Sequence, residues 1–349
     1  MKMKSTHKKL MLIGSTINPV HIRNFYHLIE GYFDEVVIVG THEVDFCKSI
    51  SIDFRIKNPL KLNQSVRQLR KIMIEFNPTI VHVHQANSFG YITSLANKGR
   101  YPQVLTTWGD DVLIFPNKNF LFRRLARTSL LSSDAITADA EIMKKAIHQF
   151  IGYKPVEVIN FGIELQNSTN IPKENILYSN RLHDDLYNIH HIIRGSVSFL
   201  HANPAWKLRI AGKGSNTEAL KQQVHDLKLE DRIEFVGFLA PAENLENYMK
   251  SKIYISIPNT DGTSISLLEA MAYGCLPVVS DLPANREWIS DGDNGIVVQD
   301  LNLEKALERA LQLNPSNVAA KNLKIIESKA TKKSNRTKFV AIYERLLNR

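Results

Sequence analysis

The sequence predicts an α/β protein of two doubly wound, Rossmann-like domains facing a central cleft, and three observations carry that prediction. The chain has 349 residues, enough for roughly two domains at ~150 residues each. Short apolar, β-rich runs alternate with helical patterns from end to end, the rhythm of a parallel sheet wrapped by helices on both faces. A polar stretch containing Pro172, from Asn167 to Lys173, interrupts that rhythm as a linker does, and the alternation then restarts.

In order, Lys9 to Ile13 reads as a strand, Val20 to Gly31 as a helix, Glu35 to Val39 as a strand, Val66 to Phe76 as a helix and Thr79 to His84 as a strand. A helix around Leu95, strand Gln103 to Thr106, helix Phe120 to Leu131, strand Ala135 to Thr137, helix Glu141 to Phe150 and strand Pro155 to Ile159 complete the first half. The second half has strand Asn175 to Ser179, a helix toward Phe199, strand Lys207 to Ile210, helix Thr217 to Leu227, strand Arg232 to Val236 and helix Ala242 to Met249. Strand Ile253 to Ile257, helix Ser264 to Tyr273 and strands Pro277 to Ser280 and Gly295 to Val298 follow. The last helix, Arg336 to Leu347, has no strand after it and can cap either domain. Residues 1–165 are read as the first domain and 166–334 as the second, with 335–349 free to return to the first.

With 44% apolar and 23% charged residues, the chain is too hydrophobic for disorder, and no stretch reaches the ~18 uncharged apolar residues of a membrane span. The basic start, Met1 to Lys9, is followed by an apolar run that stops at Gly14, short of the ~7 residues of a signal-peptide core, so a cytoplasmic protein is expected. Cys47 and Cys275 lack any CxxC or Cys/His spacing, which removes a disulfide framework and a structural zinc site. Charge is uneven: +7 over residues 1–165, −5 over 166–320 and +7 over 321–349. A basic first half suits an anionic surface, nucleic acid or lipid, while the acidic middle handles something smaller.

The most informative stretch runs from Asp261 to Gly274, directly after the strand Ile253 to Ile257. Gly262, Thr263 and Ser264 make a strand-to-helix turn whose backbone N–H groups, at the positive end of a helix dipole, suit a phosphate. Asp261 precedes the turn and Glu269 lies eight residues on, about 12 Å away along a helix. Two acids bracketing a phosphate turn suit the sugar hydroxyls on either side of a diphosphate. An N-capped helix with a solvent-facing Glu fits the same spacing equally well.

Here the sequence resembles a family, the glycosyl transferases of group 1: retaining, family-four enzymes with the two-domain B-type (GT-B) fold. The family's paired acids and the blocks that follow them are matched by Asp261, Glu269, Ala270, Met271, Ala272, Gly274, Pro277, Val278 and Val279. Asn160 to Ile163, Ser179-Asn180-Arg181, Ala211 to Gly214, Val236 to Phe238 and Asp291 to Gly295 agree in order, and Thr106 to Asp111 matches members carrying Thr-x-Trp-Gly-x-Asp. Two positions depart from the pattern: the first acid is usually Glu, here Asp261, and a Lys usual six residues after the Arg is Tyr187, followed by Asn188.

The resemblance implies a hexosyl- or N-acetylhexosaminyltransferase that takes its sugar from a nucleoside diphosphate donor, expected to be uridine-linked, and passes it with retention to a lipid-linked or surface-polysaccharide saccharide. It implies catalytic roles for Arg181, Asp261, Glu269 and Asp110, and a donor site of Gly14, Arg181, Gly212, Lys213, Gly237, Phe238, Gly262, Thr263, Ser264 and Glu269. It also implies acceptor contacts at His21, Arg23, His84, Trp108, Asp110 and Asp111, and no cofactor or essential metal. A nucleotide-sugar 2-epimerase and a non-catalytic nucleotide-sugar-binding protein are the alternatives.

Other motifs are read from their residues. Gly212-Lys213-Gly214 with Glu234 some 20 residues later invites a dinucleotide reading, but the third glycine is replaced by Thr217. Asp291-Gly292-Asp293 fits a turn better than a metal-binding pair, and His82 with His84 lacks a third ligand nearby. Lys118, Arg123, Arg124 and Arg127 interleave with Phe120, Leu121, Phe122 and Leu125. That pattern suits an anionic membrane surface, and it equally suits a core-facing helix with a solvated basic side. An anionic membrane is the expected surface partner, nucleic acid is not, and a peripheral position on the inner face of the cytoplasmic membrane follows.

Overall fold

The computed structural model describes residues 7–56, 58–166 and 171–348, so Lys2 and Lys4 of the basic start and residues 167–170 of the linker lie outside it. The described chain divides into two units, one running to Phe161 and resuming at Lys332, the other spanning Gly162–Thr331.

In the first unit the strands are β1 (Lys9–Ile13), β2 (Glu35–Gly40), β3 (Ser49–Ser51), β4 (Ile80–His84), β5 (Gln103–Thr106), β6 (Ala135–Ala138) and β7 (Val156–Val158). They form a parallel sheet in the order β3-β2-β1-β4-β5-β6-β7, with Leu12 opposite both Ile38 and His82. Leu10 to Ile13 are fully buried, as expected of a strand covered on both faces, which is why the run reads as continuous hydrophobe. The helix Pro59–Phe76 starts well before Val66, where its apolar periodicity begins: Asn58 accepts from the Lys61 N–H and Pro59 opens the first turn. The final helix, Lys332–Leu347, buries Phe339, Ile342, Tyr343 and Leu346 in the cluster that holds Leu10, Leu12, Phe25 and Ile38.

The second unit repeats the plan with β8 (Glu174–Ser179), β9 (Lys207–Ala211), β10 (Ile233–Gly237), β11 (Ser251–Ser256), β12 (Leu276–Ser280) and β13 (Ile296–Val298). All pairings are parallel, in the order β10-β9-β8-β11-β12-β13. The chain leaves β8 toward β9 on one side and reaches β11 on the other, so the carboxyl ends of β8 and β11 flank a topological switch point, where ligands bind in such sheets. The helices Leu303–Ala310 and Pro315–Lys329 are missing from the sequence reading. For the first the signal was present: Leu303, Ala306, Leu307 and Ala310, at helical spacing, are its buried face. Among the described residues no helix is long and apolar enough to cross a membrane.

Candidate functional site

Arg181 follows the end of β8 and Asp261 follows the end of β11, so the switch point brings them together from 80 residues apart. Arg181 Nη2 donates to Asp261 Oδ2 at 2.8 Å, Nη1 donates to Ser264 Oγ, and the guanidinium carbon lies 4.5 Å from the centre of the Tyr187 ring. Burial opposes the charge, yet Asp261 with the Tyr254 and Tyr187 hydroxyls holds the guanidinium above its ordinary range. Tyr187, standing where the resembled pattern has Lys, therefore supplies a π-face beneath the one cation rather than a second cation. Ser264 also caps the helix Ile265–Ala272, accepting from the Leu267 N–H at 3.4 Å, and Gly262, Thr263 and Ser264 are buried. Glu269 lies half-buried in the next turn of that helix.

Beneath Arg181 is a polar network that sequence reasoning misses. Asn180 Nδ2 donates to Tyr248 Oη at 2.7 Å and to Asn244 Oδ1 at 3.0 Å, while its Oδ1 accepts from Tyr254 Oη at 3.1 Å. Tyr178 Oη donates to the same Asn244 oxygen at 2.5 Å. Burial pushes Tyr254 up to about 12, so the phenol stays a neutral donor. Tyr178 and Asn180 stand two apart at the end of β8, Asn244 and Tyr248 one turn apart on the helix Pro241–Lys250, and Tyr254 on β11, so these two pairs were the network's local traces and only the tertiary fold assembles it.

Next to the switch point a cavity of about 480 Å³ is walled by the Gly212–Gly214 loop, His183, Thr217, Phe235 and Gly237. Gly212 has φ +111°, and a Cβ there would sit 2.5 Å from the Arg181 carbonyl oxygen, so the first glycine serves close passage of two loops. Glu234, the acid of the dinucleotide reading, is paired with Arg209 at 2.9 Å. Exposed Lys213 also lines the cavity, Gly237 turns with φ +73°, and Phe238 beyond it is exposed.

In the first unit two of the expected acceptor residues, Asp111 and His84, are buried. Asp111 is 2% exposed, and its oxygens accept from the Ala86 N–H at 2.6 Å, Trp108 N–H at 2.9 Å and Gly109 N–H at 3.0 Å. Burial pushes its pKa up to about 6 against the opposing pull of these amides. It ties down the loop after β5, and the neighbouring Asp110 is the exposed acid. His84 is fully buried and ringed by Phe25, Trp108 and Phe161, with burial holding it neutral. It is an interior residue. His82 is also buried, with Nδ1 2.7 Å from Tyr343 Oη and Nε2 2.7 Å from Thr106 Oγ1.

His21 stays exposed with its ring centre 4.7 Å from that of half-buried Trp108, so these two remain at the surface. Arg23 is engaged with Asp45 at 3.0 Å and lies over Phe46. Gly14 is buried, and a Cβ there would meet Ile22 Cδ1 at 2.5 Å, so helix packing accounts for this glycine. Replacing Asp111 with Asn removes one acceptor oxygen and turns an N–H₂ toward backbone donors. We expect a loss of about 1–3 kcal/mol, read as a lower melting temperature, with nucleotide binding in the other unit unchanged. An unaltered melting temperature would show that the carboxylate does not hold this loop.

Asp291 and Asp293 form ion pairs with Arg309 and Lys321, and Asp291 also accepts from the Val297 N–H. Among the described residues no group of three His, Cys, Asp or Glu is placed to hold a metal ion. Cys47 and Cys275 are free thiols. The helix Phe120–Leu131 buries Leu125, Ala126, Ser129 and Leu130 and leaves Phe120 and Leu121 78% and 53% exposed beside exposed Arg123, Arg124 and Arg127.

Comparison with known proteins fits this architecture. Residues 163–331 match the family of glycosyl transferases group 1, and residues 35–140 match glycosyl transferase 4-like proteins. A GDP-mannose:cellobiosyl-diphosphopolyprenol alpha-mannosyltransferase of Xanthomonas oryzae pv. oryzae is 23% identical over 68% of this chain and 66% of its own length. The chain spans about two thirds or less of the first curated relatives it matches. Among solved structures, a glycosyltransferase from Rickettsia africae superposes with a TM-score of 0.81 at 15% identity, covering 98% of this chain and 99% of that one. Anabaena Alr3699/HepE in complex with UDP gives 0.81 at 14% identity, covering 97% and 100%. The two family matches fall one on each parallel-sheet unit, and together with the superposed structures they support a group 1 glycosyltransferase of the B-type fold.

Proposed function

We propose that this protein transfers a hexose or N-acetylhexosamine, with retention of anomeric configuration, from a uridine diphosphate donor to a saccharide carried on a lipid or a surface polysaccharide. The observation that carries the reading is Arg181, held between Asp261, Ser264 and the Tyr187 ring beside the amides of a buried strand-to-helix turn. Breaking the bond between the anomeric carbon and the diphosphate oxygen leaves negative charge on the diphosphate, and a preorganised cation with turn amides stabilises charge where it develops. Glu269 holds the ribose hydroxyls and Asp261 the transferred sugar, reached when the arriving diphosphate draws Arg181 partly away from it. The polyprenol-linked acceptor named for the Xanthomonas relative and the UDP bound to the Anabaena protein support the choice of acceptor and nucleotide.

The test is release of nucleoside diphosphate from a panel of uridine, guanosine and adenosine diphosphate sugars, with and without lipid-linked saccharide. Acceptor-dependent release supports transfer. Interconversion of sugars without acceptor identifies an epimerase, and binding without turnover a non-catalytic protein. We also propose that no metal takes part, so a chelator leaves turnover unchanged; metal-reversible loss of activity would refute this.

The first unit works against the inner face of an anionic membrane, through Phe120 and Leu121 and the bases Lys118, Arg123, Arg124 and Arg127. Each base near such a surface contributes about 1 kcal/mol, screened by salt. Reversing Arg123 and Arg124 to Glu should release the protein from anionic liposomes at low salt and leave donor binding intact. Wild-type protein that ignores such liposomes would point to a soluble acceptor.

A further inference from the structure

We infer that His183 reads the nucleobase of the donor, its Nε2 accepting an N–H from a base seated in the cavity beside the switch point. The inference rests on the donor-site reading above and adds to it a residue that selects the nucleotide. His183 is 1% exposed, yet among the described residues its Nε2 meets no hydrogen-bond partner, and it lines the cavity. A buried polar atom left without a partner is unfavourable, and such atoms concentrate where a ligand completes the bond.

The tautomer follows from the other ring nitrogen. Nδ1 lies 2.9 Å from Thr217 Oγ1, and that hydroxyl donates to the Gly214 carbonyl at 2.9 Å while accepting from the Gly214 N–H at 3.0 Å. With the single hydroxyl hydrogen directed to the Gly214 carbonyl, which also accepts from the Thr217 N–H at 3.2 Å, the Nδ1 contact requires the ring proton on Nδ1. Nε2 is then a bare acceptor, and burial, which lowers the pKa of this imidazole against the opposing pull of the Ala211 backbone, keeps the ring neutral.

Its place suits a base. His183 stands two residues beyond Arg181, roughly 7 Å along an extended chain, so a diphosphate at Arg181 leaves a ribose-sized span before the base. Gly212 opens the wall: the Cβ it lacks would lie 3.5 Å from Nε2. Phe235 supplies an aromatic side, its ring 5.9 Å from the imidazole. An acceptor here favours bases whose pairing edge carries a ring N–H, uracil and guanine. Adenine and cytosine present a ring lone pair at that position, which opposes the Nε2 lone pair.

Calorimetry with UDP, GDP, ADP and CDP tests this on the full chain. Wild type should bind UDP or GDP about tenfold more tightly than ADP and CDP, the discrimination of one well-placed hydrogen bond. His183→Phe should abolish that ratio, weakening the preferred nucleotide while ADP and CDP, freed of the opposing lone pair, bind no more weakly than before, and His183→Gln, whose amide oxygen can accept, should restore part of it. Base-methylated ligands give the same comparison without any mutation: N3-methyl-UDP or N1-methyl-GDP should lose the preference on wild type. A ratio that survives in His183→Phe, an equal weakening of all four nucleotides, or full affinity for the methylated ligand would overturn the role of His183 and leave the donor site standing. Wild type that binds none of the four would overturn the donor-site reading itself.

Discussion

Replacing Arg181 with Ala should lower turnover by about 10²–10³, the usual cost of removing one preorganised stabiliser of developing charge. The substitution does two things at once. It removes the cation that meets the diphosphate, and it strands Asp261, whose side chain is 22% exposed and whose partner is this guanidinium. The stranded carboxylate then repels the donor phosphates, so donor affinity should fall as well, though by less than turnover. Adding Asp261→Asn to the Arg181→Ala protein should therefore recover donor affinity and not turnover. Arg181→Lys should rescue poorly, because an ammonium cannot hold Asp261 and Ser264 with a planar fork while lying on the Tyr187 ring. If KM rises in Arg181→Ala while kcat stays constant, Arg181 serves only the bound ground state and the proposed mechanism fails at that step.

Glu269→Ala should weaken donor binding about 10- to 100-fold, the range for losing a charged hydrogen-bond acceptor together with its partners' satisfaction. Glu269 is half-buried on the helix capped by Ser264, two turns from the phosphate end. Its loss should lower affinity for every nucleoside diphosphate alike, because the ribose is common to all of them. That uniformity separates it from His183, whose replacement should change the ranking of the nucleotides. Calorimetry on a variant with wild-type melting behaviour decides the matter, and unchanged donor affinity would remove Glu269 from the site.

The β/α rhythm was legible because buried parallel strands are continuous short apolar runs, such as Leu10 to Ile13 or Leu276 to Val279, and helices repeat at 3.6 residues. The turn Gly262 to Ser264 was legible for the same local reason: strand, small residues, cap and helix are contiguous. Helix starts were less so. The first turns of Pro59–Phe76 are exposed, Leu60 included, and periodicity cannot mark a segment that buries nothing.

What a buried polar side chain does depends on partners that sequence distance hides. Asp110 and Asp111 are adjacent in the chain, but only packing decides that one faces solvent and the other ties down the Ala86, Trp108 and Gly109 amides. His82 and His84 read as strand-end histidines open to a ligand; the last helix and the Phe25, Trp108 and Phe161 rings enclose them. Tyr187 looks like a missing cation until the fold lays Arg181 over its ring. Composition, periodicity and contiguous turns are encoded locally and survive in a string of letters. Charge pairing, burial and tautomer are properties of neighbours, and in this protein those neighbours stand 80 residues apart in the Arg181 and Asp261 pair, joined by the sheet order, and 261 apart between His82 and Tyr343, joined by the return of the last helix.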